Sequence, residues 1–264
     1  MIRQRAFTLN ELVCTCVLLL FVLASMQMTI GCGLGTARRN ARVMQSATQV
    51  RGIIQGMINH SPSNNEWYPG RARDGTEDTT LIAAVPNRQY GCNVTGDDPA
   101  FRYAFLLRNN YFSPDYAVSP SETDSKITTA SLDSGGNITA ATFSFPMLEP
   151  APGKTRNGEW KAVNNSMAVI VTDRNLAASA AKPGSIHDAG TWRGTVGYND
   201  NHVVFETTHL IAGTQYTLSS PAVVQDNLFQ SGDALESPAP AFISEPDALM
   251  TYKSPNDGGV NQNP

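Results

Sequence analysis

The sequence has little cysteine and little charge. Only 4 of its 264 residues are cysteines, which excludes a small domain held together by many disulfides. Charged residues make up 16% of the chain, below the quarter typical of soluble domains. The formal net charge of -4 argues against a general nucleic-acid-binding protein, because such proteins carry an excess of Lys and Arg. We therefore expect no nucleic-acid partner.

Acidic residues are almost absent from the first sixty positions. Residues 1–60 contain six arginines and a single acid, Glu11, and have a net charge of +5. Residues 61–264 contain 13 Lys and Arg against 22 Asp and Glu, a net charge of -9. Such a division indicates that the two parts of the chain lie in different surroundings.

A long uncharged run lies within the basic part. The 19 residues from Leu12 to Ile30, in a helix rising about 1.5 Å per residue, nearly cross the ~30 Å hydrocarbon core of a bilayer. Arg3 and Arg5 precede the run and favour a cytoplasmic location for that end. The run can be a cleaved secretory signal, a permanent transmembrane helix or a buried core helix. A core helix is the least favoured, because the run begins near the start of the sequence behind basic residues.

The residues after the run continue a helical pattern. Apolar residues recur at intervals of four and three, which predicts one buried helix face. The stripe consists of Val43, Ala47, Val50, Ile54 and Met57. The pattern ends at Asn59-His60-Ser61-Pro62, a typical helix stop. We predict one helix over residues 7–60, about 80 Å long, that is transmembrane at about 12–30 and amphipathic at about 37–59.

The residues before the run carry the most specific motif. Glu11 adjoins an apolar segment, where a carboxylate is costly and usually functional. The segment Arg5-Ala6-Phe7-Thr8-Leu9-Asn10-Glu11 resembles the N-terminal signal of type IV prepilins and type II secretion pseudopilins. The resemblance implies that prepilin peptidase removes residues 1–6, cutting between Ala6 and Phe7, and methylates the new amino group. It also implies that Glu11 pairs with the N-terminal amine of a neighbouring subunit in a filament.

A second processing signal overlaps the end of the run. Thr29-Ile30-Gly31-Cys32 resembles the lipobox of bacterial lipoproteins. This resemblance implies lipidation of Cys32, and a membrane-anchored extracytoplasmic binding protein tethered through that residue is the alternative function. The preferred interpretation is that Cys32 is a small apolar residue at the end of a membrane helix.

The remainder of the sequence predicts a soluble α+β domain over residues 61–230. Asp98-Pro99 predicts the N-cap and first turn of a short helix. Short apolar runs predict strands, and Asn and Asp residues predict the turn of a β-hairpin. The predicted strands lie at 141–148, at 167–173, in a hairpin over 194–206 and at 214–224. Residues 231–264, rich in Pro, Ser, Asp and Asn, are predicted to be a flexible tail.

Two segments of this domain resemble large prepilin-like families of planctomycetes and related bacteria. They are LLRNNYFSPDYAVSPSE (106–122) and SIHDAGTWRGTVGYNDNHVVFE (185–206), the latter similar to a His…Gly…DGHV hairpin. The order of elements also resembles the pilin layout. We therefore expect an α+β, pilin-like fold, in which a long N-terminal transmembrane and amphipathic helix packs on a small antiparallel sheet.

Candidate metal ligands occur in the last third of the sequence. They are His187, His202, His209, Asp173, Asp188, Asp200 and Glu206. However, the sequence contains no HExxH motif, paired CxxC, EF-hand loop or GxSxG elbow. The segment Asn199-Asp200-Asn201 could offer oxygen ligands to calcium, although a polar hairpin turn is the preferred interpretation. A membrane-anchored hydrolase or metal enzyme remains a second alternative, and we expect no enzyme, no metal and no cofactor.

The sequence therefore predicts a structural subunit of a type IV pilus or a type II secretion-like pseudopilus. The expected location is the bacterial inner membrane, crossed once, with the C-terminal domain outside the cytoplasm and the subunit able to enter an extracellular filament. The expected partners are prepilin peptidase, like or related pilin subunits and the inner membrane. The expected processing and assembly residues are Arg5, Ala6, Phe7 and Glu11.

Overall fold

The chain combines helices with antiparallel strands, which confirms the predicted α+β class. The computed structural model describes residues 8–83, 90–129, 137–139, 142–150, 158–177, 182–217, 223–229 and 250–251. The chain divides into two compact units, Met1–Arg42 and Val43–Pro264. We refer to them as the N-terminal unit and the C-terminal unit.

The longest element is helix α1, Leu9–His60. Its 52 residues correspond to about 78 Å of helix, close to the length predicted for residues 7–60. The helix contains no proline, and the glycines after residue 30 do not interrupt it. It ends at His60, where a 3-10 turn over Ser61–Asn64 carries Pro62 in its first turn.

The N-terminal unit exposes a continuous apolar surface. Every Leu, Val and Phe side chain between Leu9 and Leu23 is more than half exposed. Among the residues that the structure describes, no helix combines the length and the apolar character needed to cross a bilayer.

The C-terminal unit contains the hydrophobic core, and the later residues of α1 belong to it. Val50, Ile54 and Met57 of the predicted stripe are fully buried, and Ile53 joins them. Strand β3, Gly194–Tyr198, approaches this helix face at Gly197. A Cβ on Gly197 would lie 2.5 Å from Ile54 Cδ1 and from Val50 Cγ1. The missing side chain therefore allows the helix and the sheet to pack closely.

A second face of α1 contacts the connector, which we define as residues 111–118. The ring of Tyr116 lies over Gly52, where an added Cβ would be 2.2 Å from Tyr116 Cε1. Gly56 meets Tyr111 and Phe112 in the same way, with 3.1 Å between an added Cβ and Phe112 Cδ1. The two glycines thus accept aromatic rings against the helix backbone, a contact that the apolar stripe does not predict.

The described strands form two antiparallel sheets. The remaining bounds are α2 Pro99–Arg108, β1 Met147–Leu148, β2 Val169–Thr172, β4 Val203–Glu206, β5 Leu210–Thr217, β6 Val223–Asn227 and β7 Met250–Thr251. In the larger sheet the order is β4-β3-β2-β1-β7, and β5 pairs with β6 in a separate ladder. A second 3-10 turn covers Pro114–Ala117. The predicted hairpin over 194–206 is confirmed by the pairing of β3 with β4.

Three of the predicted segments differ from the structure. The strand predicted at 141–148 is reduced to Met147–Leu148, because the Ser144 N–H donates to the Ala117 carbonyl oxygen, 2.9 Å away, rather than to a ladder. The single strand predicted at 214–224 is replaced by β5 and β6. Met250–Thr251, inside the predicted tail, pairs with β1 because Met250 is fully buried there. The other residues of that tail lie outside the described residues.

Helix α2 begins where the sequence predicts. Asp98 occupies the N-cap position and Pro99 opens the first turn. The Asp98 side chain makes no capping hydrogen bond, so the proline and the buried apolar face are the features that favour helix at this position.

We predict that Gly197→Ala destabilises the C-terminal unit by about 1–3 kcal/mol, because the new methyl group overlaps Val50 and Ile54. Gly190→Ala is the matched control, since an added Cβ there has no heavy atom within 4 Å, and it should change stability by about 0.5 kcal/mol or less. Denaturant unfolding of the purified chain in detergent measures both. Equal effects of the two substitutions would contradict the close contact at Gly197.

Candidate functional site

A fully buried carboxylate lies directly after strand β2. Asp173 Oδ2 accepts a hydrogen bond from the Thr195 N–H at 2.5 Å and lies 2.8 Å from His187 Nε2. Asp173 Oδ1 accepts from the Ser46 hydroxyl at 3.3 Å. We call these four residues the Asp173 cluster. It joins α1, the end of β2, the loop before β3 and β3 itself.

The Asp173 cluster is enclosed on all the sides that the structure describes. The side chains of Asp173 and His187 are 0% and 1% exposed. Phe205 covers the imidazole edge-to-face, with 5.1 Å between ring centroids. Gly194 lies beside the carboxylate, since a Cβ there would be 2.9 Å from Asp173 Cβ. The cluster is therefore part of the core rather than an open cleft.

The arrangement of the cluster differs from that of a hydrolase. In a catalytic triad the serine bonds the histidine, which in turn bonds the acid. Here the Ser46 hydroxyl contacts the Asp173 carboxylate and, at 3.2 Å, the Thr195 hydroxyl. The residue types of a triad are present, but their connection favours a structural role.

The two residues after Asp173 extend the same network. Arg174 makes a two-point ion pair with Glu122, in which Nε lies 2.9 Å from Oε2 and Nη2 contacts Oε1. Both side chains are almost fully buried, and the Ser144 hydroxyl donates to Glu122 at 2.8 Å. The Asn175 side-chain oxygen accepts from two backbone N–H groups in the next loop. Residues 173–175 thus fix a helix, the segment at Glu122 and a loop to the end of one strand.

The side chains of residues 199–201, the alternative calcium ligands, bind other groups of the protein. Asn199 donates to the carbonyl oxygens of Glu159 and Lys161 at 2.6 and 2.7 Å. Asn201 donates to the Gln55 side chain of α1 at 3.0 Å. Asp200 Oδ1 lies 2.5 Å from His202 Nδ1. Partial burial acts to raise the pKa of Asp200, but the hydrogen bonds from His202 lower it below its ordinary value. These different partners support the polar-turn interpretation.

The other predicted metal candidates are dispersed. Asp188 pairs with Arg193 at 3.1 Å, and Glu206 accepts from the Tyr198 hydroxyl at 3.5 Å. His209 adjoins β5, and burial lowers its pKa. Across the part of the chain that the structure describes, no group of three or more His, Cys, Asp or Glu is arranged to hold a metal ion.

A second buried charge cluster lies beneath α2, and the sequence analysis does not predict it. The Arg102 guanidinium donates to the Gly96, Asp97 and Leu148 carbonyl oxygens at 2.7–2.9 Å and stacks on Trp160, 4.5 Å from the ring centroid. Burial lowers the pKa of Arg102 to about 10, although the nearby Asp97 opposes this shift. Arg102 therefore joins α2 to β1 as a structural group.

The start of α1 has a specific local geometry. The Thr8 N–H donates to Glu11 Oε2 at 2.9 Å, and the Glu11 N–H donates to Thr8 Oγ1 at 3.4 Å. These reciprocal bonds form a capping box, which the spacing Thr-x-x-Glu could have predicted. Glu11 therefore has a structural partner within its own helix. Arg5, Ala6 and Phe7 lie outside the described residues.

Comparison of the chain with protein-family models, curated proteins and solved structures found no match. The function proposed below therefore depends on the residues of this chain.

We predict that Asp173→Ala destabilises the chain by about 3 kcal/mol or more, because three buried groups each lose a hydrogen-bond partner. Asp188→Ala removes a partly exposed ion pair and should cost about 1 kcal/mol or less. Denaturant unfolding of both variants provides the comparison. If Asp173→Ala were as stable as Asp188→Ala, the cluster would not be an important structural connection.

Proposed function

We propose that the chain is a structural subunit of a type IV pilus or of a type II secretion-like pseudopilus, with a pilin-like fold. The observation that carries the proposal is helix α1. It begins at a capping box that includes Glu11, continues for 52 residues and ends inside an antiparallel sheet domain. A helix with these two different ends fits a subunit that assembles through one end and folds around the other.

The N-terminal unit supports this function through its apolar surface. Leu18, Leu19, Leu20 and Phe21 are 61–75% exposed, and a contiguous apolar surface of this kind normally meets lipid or another protein. In the proposed function it lies in the bacterial inner membrane before assembly and against other subunits in the filament afterwards. Prepilin peptidase cuts between Ala6 and Phe7, and the C-terminal unit lies outside the cytoplasm.

The C-terminal unit supports the proposal because its buried polar groups connect elements of the fold. The Asp173 cluster and the Glu122–Arg174 pair connect elements of the fold and are shielded from solvent. A domain whose buried polar groups hold its helix to its sheet suits a subunit that must remain folded while its helix is transferred from membrane to filament.

Glu11 has two separable roles in this proposal. Its carboxylate accepts hydrogen bonds from Thr8, which stabilises the helix start. Its negative charge would pair with the amine of a neighbouring Phe7 during assembly. Glutamine can also occupy the third position of a capping box, so it retains the first role and removes the second.

We predict that Glu11→Gln and Glu11→Ala both remain in the membrane but enter filaments at least about tenfold less than the wild type, because a pairing worth about 1.4 kcal/mol changes an equilibrium tenfold. Immunoblotting of sheared filaments against the membrane fraction measures incorporation. Asn10→Ala, one residue away, is the matched control and should assemble normally.

The pattern across these variants separates the two roles. Loss of assembly in Glu11→Ala but not in Glu11→Gln would show that only the helix cap matters, which would remove the charge role. Normal assembly of both variants would contradict the proposed function of Glu11 altogether.

A further inference from the structure

The N-terminal unit carries a group of exposed arginines near its end. Arg38, Arg39 and Arg42 are all exposed on α1, and we call them the basic band. At about 100° per residue, the spacing i, i+1, i+4 places them within an arc of about 100°. They therefore present three positive charges on one side of the helix.

Acidic residues are absent from the part of α1 around the basic band. After Glu11 the sequence has no Asp or Glu until Glu66, which lies beyond the end of α1. Glu11 is 27 residues from Arg38, or about 40 Å along the helix. At physiological salt such a separation is several Debye lengths, so Glu11 does not neutralise the band.

The distance from the apolar run suggests the kind of partner. Arg38 follows Ile30 by eight residues, about 12 Å of helix. Headgroups extend roughly 5–8 Å beyond each side of the hydrocarbon core. Helical side chains tilt toward the helix N-terminus, and arginine side chains are long, so the guanidinium of Arg38 can reach back toward the apolar run. Guanidinium groups bind phosphate oxygens in a two-point geometry.

Removal of residues 1–6 would increase the share of the helix's positive charge that the basic band carries. In the proposed processing, residues 1–6 leave with Arg3 and Arg5. The arginines that remain on the helix all follow the apolar run, at positions 38, 39, 42 and 51. The arginine charge of the mature helix then lies on one side of the membrane only.

We propose that the basic band binds anionic phospholipid headgroups in the leaflet at the C-terminal end of the apolar run and thereby sets the depth of α1 in the bilayer. The proposal rests on the membrane insertion in the proposed function. Lipid is the occupant because it is present at this depth for every copy of the chain, before any assembly. An acidic surface of a neighbouring copy is the other outcome that the experiment distinguishes.

The experiment reconstitutes the full chain in phosphatidylcholine bilayers containing spin-labelled phosphatidylglycerol or spin-labelled phosphatidylcholine. The wild type should immobilise the anionic label preferentially. The triple variant R38Q/R39Q/R42Q should lose at least about fivefold of that preference, because one basic residue near an anionic surface contributes roughly this factor. Added salt should reduce the wild-type preference toward that of the variant.

The matched control is R51Q/K126Q/K182Q, which removes the same charge from exposed positions outside the band. It should retain the lipid preference of the wild type. Equal lipid preference of the wild type and R38Q/R39Q/R42Q would overturn the inference. Loss of cross-linking between copies in that variant, with lipid preference unchanged, would also overturn it and would identify the neighbouring copy as the occupant.

Alkaline carbonate extraction of the same bilayers separates the two proposals. A wild-type chain that is extracted would contradict membrane insertion, and both proposals would fail. A wild-type chain that resists extraction but shows no lipid preference would contradict the basic band alone.

Discussion

The buried carboxylate of Asp173 is the interaction on which the C-terminal unit most depends. It binds Ser46 of α1, Thr195 of β3 and His187 of the preceding loop. A buried carboxylate is costly without hydrogen bonds, so each of its partners must stay in place. Helix, strand and loop therefore hold one another in a single arrangement.

The apolar contacts reinforce the same arrangement because they allow little movement. Gly197 brings β3 against one face of α1, and Gly52 and Gly56 admit aromatic rings against another. A close-packed helix cannot slide along such contacts without overlap. The polar cluster and the glycine contacts together fix the position of α1 on the sheet, as the proposed function requires.

Sequence patterns predicted the helices and the turn, whose formation depends on residues that are near one another in the sequence. The apolar stripe and the helix stop at residues 59–62 predicted the end of α1, Asp98-Pro99 predicted α2, and the turn residues at 199–201 predicted the hairpin. The Asp173 cluster joins Ser46 to a partner 127 residues away, and β7 pairs with β1, which is distant in the sequence. A pattern of neighbouring residues therefore predicts neither contact. The capping box of Glu11 was readable from its spacing, whereas burial of Arg102 was not.

The most direct test of the proposed function is the identity of the first residue of the mature chain. Mass spectrometry of the protein purified from the membranes of its own host measures this residue and its modification. The proposal predicts an N-terminal peptide that begins at Phe7 and carries an N-methyl group. A chain that begins at Met1, or at a lipidated Cys32, would contradict it.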